Sequence, residues 1–260
     1  MPTIESLLHR RTDLSTFLVH FTRDTQTPPV AARDNLLSIL RSQWLEAKNT
    51  FGMARDLAAK FPEVAATQNT VCFTETPLEH AWTMCADIEG RGIRFNGYGL
   101  AFTKTFARLQ GVNPVWYLDI TPGHRWLTNP IERLVGEAVK AATAADATDP
   151  HPAALAMAPV LELTPFIDQM GNPSGTRKEF WWEREWRHVG HLQFTVADLV
   201  VVFAPEHEHA LLRDSLTGHP AYAATMPRLM DAQWGLERMI ATLAGVSDPG
   251  PFPQRPASGW

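Results

Sequence analysis

Within Lys178–Gly190, KEFWWEREWRHVG, three tryptophans, two glutamates and two arginines fill the seven residues from Trp181 to Arg187. A strand sends successive side chains to opposite faces. Read as a strand over Trp182–Val189, the stretch puts Glu183, Glu185, Arg187 and Val189 on one face and Trp182, Arg184, Trp186 and His188 on the other. The indole face is expected to be core, with Arg184 stacked among the tryptophans. The acidic face is harder to place, because carboxylates held beside arginines are costly to bury unless they are paired or used. It reads either as a structural Glu–Arg ladder or as the working surface of the protein, with Glu185 at its centre.

Strand and helix signals alternate irregularly before and after this stretch. Phe17–Thr22, FLVHFT, is an apolar strand whose one ionisable member is His20. Asp34 reads as the cap of a helix whose apolar positions are Leu36, Leu37, Ile39, Leu40 and Trp44. Phe51–Phe61 suggests a short helix ended by Pro62. Thr70–Thr74 is a second strand running into Thr76-Pro-Leu-Glu79, a capping-box pattern that predicts a helix over Leu78–Glu89 stopped by Gly90. Glu75 sits at the corner, facing the mouth of any cleft or favoured by the helix dipole. Tyr98–Thr103 and Asn113–Ile120 read as further strands, and Asn129 opens a helix to about Ala145. The polar, alanine-rich segment up to Pro152 and a partly helical stretch lead to the turn GNPSGT.

Beyond the tryptophan-rich strand, Leu192–Thr195 is expected to continue the sheet, and Val196–Ala204 is the last strong strand signal. Helices are expected over Pro205–Leu216 and Thr225–Ala244. Strands dispersed among helices predict an α+β fold with a mixed or split β-sheet core and peripheral helices. The expected organisation is a single domain over 1–245, with a helical insertion at about 129–170, C-terminal helices over 205–245, and a proline-rich disordered tail over 246–260.

Composition narrows the function classes. A formal charge of −5 argues against a global basic field for coating nucleic acid. The two cysteines, Cys72 and Cys85, lack metal-ligand spacing and fit a reducing, cytoplasmic compartment. The N-terminal sequence carries no signal-peptide pattern, and the longest apolar run is six residues, so no membrane span is expected. No His/Cys/Asp cluster matches a metal spacing, so no metal is expected, and no G-x-S-x-G elbow supports a serine hydrolase. What remains is a histidine on an early strand, an aromatic on a middle strand and a glutamate on a late one. That set suits removal of a leaving group from a sugar: the carboxylate stabilises an oxocarbenium-like centre, the histidine holds a ribose hydroxyl and the aromatic stacks on a base.

The ordered blocks LVHFTR, VCFTETPLEHAW, YGLAFTK followed by NPVWY, and WEREWRHVG, spanning Phe17–Leu192, resemble the AbiGi-type abortive-infection family, phage-defence proteins described as antitoxins. A more distant similarity is to DarT-like ADP-ribosyltransferases, with an H-x-T segment on an early strand and a catalytic glutamate on a late one. That likeness implies an ADP-ribosyltransferase-like fold with NAD as substrate. It also implies His20 and Glu185 as catalytic residues and Thr22, Tyr98, Glu183 and Arg187 as NAD contacts, with Glu183 and Glu185 forming an E-x-E pair. Two uses are open at this point. One is transfer of ADP-ribose to nucleic acid or protein, or cleavage of NAD; the other is a non-catalytic antitoxin that binds a nucleotide or a cognate toxin.

Overall fold

The computed structural model describes residues 11–88, 91, 93–121, 125–172 and 179–246, together with residue 4. Gly90, most of the GNPSGT turn and nearly all of the proline-rich tail lie outside the described residues.

The apolar runs assemble into one eight-stranded sheet. Its strands are β1 (Phe17–Phe21), β2 (Asn49–Thr50), β3 (Asn69–Thr74), β4 (Gly99–Thr103), β5 (Asn113–Pro114), β6 (Glu185–Val189), β7 (Leu199–Phe203) and β8 (Leu229–Met230). They lie in the order β8-β7-β4-β1-β3-β6-β5, with β2 branching from β3. The β7–β8 pair is parallel and the others are antiparallel, so the sheet is mixed and the fold is α+β. Leu18, Leu100, Phe102 and Val202 face the helices Ala32–Ser42 and His209–Leu216. Val19, Phe21, Ala101, Val201 and Phe203 face Leu78–Met84 and Met239. A third core joins Ala54–Ala65 to the helices Thr128–Ala142, Pro152–Ala156 and Pro159–Leu163.

The centre of the sheet is where it opens. β1 and β4 stay in register over five residue pairs, whereas β1 and β3 are in register only at Val19↔Thr74. Past that pair the gap is bridged by a side chain: the His20 imidazole donates from Nδ1 to the Cys72 carbonyl at 2.9 Å.

Several local expectations change. The tryptophan-rich stretch is a strand only from Glu185; Trp181–Glu183 is a 3-10 turn, and Arg184 adopts left-handed geometry at φ 49°. This reversal breaks the alternation. Trp186 packs on the Leu18 side of the sheet and Trp182 on the Val19 side, both only partly buried. Lys104, not Arg184, stands over the Trp186 ring, at 5.4 Å. The predicted helix after Thr76 is a short 3-10 turn followed by Ala81–Cys85, without a side-chain cap, because Thr76 instead bonds the Thr74 hydroxyl. Asp34 lies in the first turn of its helix; the capping carboxylate is Asp24, which accepts from Ala32 N at 2.7 Å. Pro62 opens a helix, Pro62–Gln68, instead of ending one. Leu229–Met230 leaves the predicted C-terminal helix to pair with β7, and that helix starts at Leu236.

Two further departures build the site. NPVWYLDI divides at Val115: Asn113–Pro114 pairs with β6, while Trp116–Asp119 turns away to pair in parallel with Ile167–Met170. Leu192–Gln193 leaves the main sheet for Trp44–Leu45.

Candidate functional site: a charged cleft beside the sheet opening

A cavity of about 880 Å³ lies where β1 and β3 part. Its β6 wall is made by Glu185 and Arg187, which register against Thr74 and Cys72 of β3 and share that face with Val19. Arg187 is 1% exposed and fully engaged. It donates Nε to Glu185 Oε1 at 3.0 Å and Nη2 to Glu185 Oε2 at 2.8 Å, a side-on bidentate pair. Nη2 also reaches Asp168 Oδ2 at 2.7 Å, and Nη1 reaches the Pro165 carbonyl at 2.6 Å. The guanidinium lies 5.0 Å from the Phe51 ring. Phe51 is delivered by a loop that only glycine permits at the next position: Gly52 has φ +86°, and a Cβ there would sit 2.0 Å from the Thr164 carbonyl oxygen.

The parallel pair Trp116–Asp119 and Ile167–Met170 sets Tyr117 opposite Asp168. The Tyr117 hydroxyl donates to Glu185 Oε2 at 3.1 Å. Burial, with the Glu185 charge beside it, holds the Tyr117 hydroxyl well above its ordinary pKa, so it stays a donor. Burial and the same carboxylate push the Cys72 thiol up, which makes it a wall of the cleft and not a nucleophile. Burial opposes the charge on Arg187, but Glu185 more than offsets this and the guanidinium stays fully charged.

Glu183, at the C-terminal end of the 3-10 turn, also lines the cleft. Its backbone is stapled to β3, where the Thr74 hydroxyl donates to the Glu183 carbonyl at 2.5 Å. Its carboxylate lies 3.2 Å from Arg91 Nε. Burial pushes Glu183 up to about 7; Arg91 pulls it down and the Glu185 charge adds to the rise.

Five of the sequence-derived candidates therefore line one cavity: His20, Thr22, Glu183, Glu185 and Arg187. By alternation His20 starts on the opposite face from Val19 and Glu185, and it reaches the cleft because the strands separate there. Burial lowers its pKa, so the ring is neutral and donates to Cys72 O. Thr22 is buried, and its hydroxyl bonds the Ala32 carbonyl at 2.9 Å and the Tyr98 carbonyl at 3.3 Å, leaving it to face a ligand as an acceptor. Tyr98 does not join them. It is core on the side of the Ala32–Ser42 helix, and burial, with Glu208 beside its hydroxyl, raises its pKa. The expected convergence of His20, Tyr98 and Glu185 thus fails at Tyr98. Glu75 is also structural: it is buried and held by Lys104 Nζ at 2.6 Å, Trp186 Nε1 at 2.8 Å and Arg184 Nη2 at 3.4 Å.

Sequence reading missed Asp168, Tyr117, Phe51 and Arg91. Tyr117 and Asp168 converge through the parallel strand pair, which has no sequence signature; Phe51 and Arg91 reach the cleft from loops.

Fold and site together define an α+β protein whose opened mixed sheet carries a preformed, charge-lined cleft of ligand size. The chain belongs to the AbiGi family of abortive phage resistance proteins: the family model described as "Putative abortive phage resistance protein AbiGi, antitoxin" matches residues 39–211. No curated protein and no solved structure matches the chain. Among the described residues, no helix is long and apolar enough to cross a membrane.

Proposed function

We propose that the chain acts in abortive phage defence by engaging NAD, or its ADP-ribosyl part, in this cleft, with Glu185 as the acid that works on the ribose. The observation that carries the reading is the gathering of His20, Thr22, Glu183, Glu185 and Arg187, from segments far apart in sequence, around one cavity of about 880 Å³. Cavities of that volume enclose ligands of nucleotide size. In the reaction, the glycosidic bond between ribose C1′ and the nicotinamide nitrogen breaks, and nicotinamide leaves with the bonding pair. The Glu185 carboxylate, oriented by Arg187 and Tyr117, stabilises the positive charge developing at C1′. A nucleophilic atom of the acceptor bonds C1′ and gives up its proton; water as acceptor gives cleavage of NAD. His20 and Thr22 hold the ribose.

A second reading is favoured by a specific observation. Both Glu185 oxygens already accept bonds from within the protein, as a purely structural acid would. Together with the family's description as an antitoxin, this supports a non-catalytic regulator whose partner is a cognate toxin. Exposed Trp116, Trp126 and Trp181 offer aromatic surface for such a contact.

One experiment separates the two. Purified full-length chain is tested for NAD binding and NAD consumption, as wild type and as Glu185→Gln. Consumption lost in the variant supports transfer, and binding without consumption supports the regulator. Neither binding nor consumption ends the NAD reading.

A further inference from the structure

Two of the arginines that line the cleft, Arg187 and Arg91, are used differently. Arg187 spends its Nε/Nη2 edge on both oxygens of Glu185. Arg91 presents the same edge to Glu183 but makes one contact, Nε to Oε1 at 3.2 Å. Its side chain is only 5% exposed, its Nη1 donates to the Met84 carbonyl at 2.7 Å, and its plane is fixed over the Phe95 ring at 4.8 Å. Arg91 Nη2 is buried and has no hydrogen-bond partner among the described residues. A buried donor on a charged group, left unpaired, carries a desolvation penalty that native folds rarely keep without use. The Nε/Nη2 edge is the geometry that takes a carboxylate or phosphate side-on. Arg91 and Glu183 both line the cavity.

We propose that the Nε/Nη2 edge of Arg91 seats a phosphate oxyanion of the cleft's ligand, and that Glu183 is the side chain the oxyanion displaces. The oxyanion takes both donors of the edge and completes what Glu183 half-fills. Glu183 is suited to yield: it makes a single contact, and burial pushes it up to about 7, so it gives up its charge readily. The seat is argued from Arg91 alone; that its phosphate belongs to a nucleotide rests on the function proposed above.

The test is calorimetric titration of the full-length chain with inorganic pyrophosphate, ADP-ribose and adenosine. Arg91→Lys keeps the charge but loses the two-pronged edge. It is expected to weaken pyrophosphate and ADP-ribose about tenfold or more, the scale of one charge-assisted hydrogen bond, and to leave adenosine unchanged. Glu183→Gln removes the competing charge while keeping Arg91, and is expected to tighten both phosphate probes. This second arm covers the case in which Arg91→Lys loses its Met84 contact and folds poorly, which melting curves detect. ADP-ribose binding equally to wild type and Arg91→Lys overturns the seat while leaving the nucleotide reading intact. Pyrophosphate binding that depends on Arg91, without binding of ADP-ribose or adenosine, keeps the seat and removes the nucleotide. Failure of both phosphate probes to bind wild type overturns the proposal, as does weaker pyrophosphate binding by Glu183→Gln.

Discussion

Arg187→Met tests whether the cleft wall is held by charge. The guanidinium is 1% exposed and serves Glu185, Asp168 and the Pro165 carbonyl at once. Methionine keeps much of the apolar stem against Phe51 but leaves two carboxylates facing each other, with side chains 16% and 18% exposed. Removing one partner of a buried ion pair costs about 3–5 kcal/mol. Residual solvent at the two acids and the Tyr117 bond to Glu185 place the expected loss at the lower end, about 3 kcal/mol. That is a large share of the ~5–15 kcal/mol that holds a typical domain folded. Urea denaturation of the full chain measures it, with the slope checked so that the denatured state is comparable. A double variant sharpens the test. Glu185→Gln removes one of the two facing charges, so it is expected to be milder in the Arg187→Met background than in wild type. A loss below about 1 kcal/mol for Arg187→Met, or simple additivity in the double variant, refutes the view that this network organises the wall.

Three further outcomes are expected. Glu185→Gln lowers NAD turnover about 100-fold or more while NAD binding persists, and Asp168 still balances Arg187, so the variant folds; unchanged turnover in a stopped assay removes Glu185 from the chemistry. Burial raises Glu183 from 4.5 to about 7, which disfavours its ionised form in the fold, so wild type loses stability as pH rises through that window. Glu183→Gln removes the slope and gains up to about 3 kcal/mol relative to wild type between pH 5 and pH 8 in paired melts, and a pH-independent difference contradicts the assignment. Trp186→Ala costs about 3 kcal/mol as a half-buried aromatic, and Trp186→Phe about 1 kcal/mol for the lost bond to Glu75; equal losses in denaturation curves would assign the whole effect to that bond.

The sequence by itself determined the elements whose signal is local. FLVHF, NTVCFT, GLAFT and LVVVF are strands because short β-branched and aromatic runs bury both faces in the centre of a sheet. The leucine spacing of Ala32–Ser42 likewise placed a helix on that sheet. Irregular alternation of these elements was enough for an α+β fold with a mixed sheet. The E-x-R order of Glu185 and Arg187 put both side chains on one strand face, so their pairing was legible from period two alone.

Only the tertiary structure decided what the charged face looks into. The left-handed turn at Arg184 cut the strand short and sent Trp182 and Trp186 to opposite sides, a reversal that no propensity for arginine announces. The parting of β1 from β3 after Val19↔Thr74 brought His20 to the cleft across the sheet, while continued pairing with β1 kept Tyr98, just before β4, in the core. Asp168 and Tyr117 met Arg187 through a parallel pairing between segments some fifty residues apart. Long-range pairing and the closing of polar groups around a buried guanidinium depend on which surfaces meet, and that information is spread over the whole chain instead of residing in any one window of it.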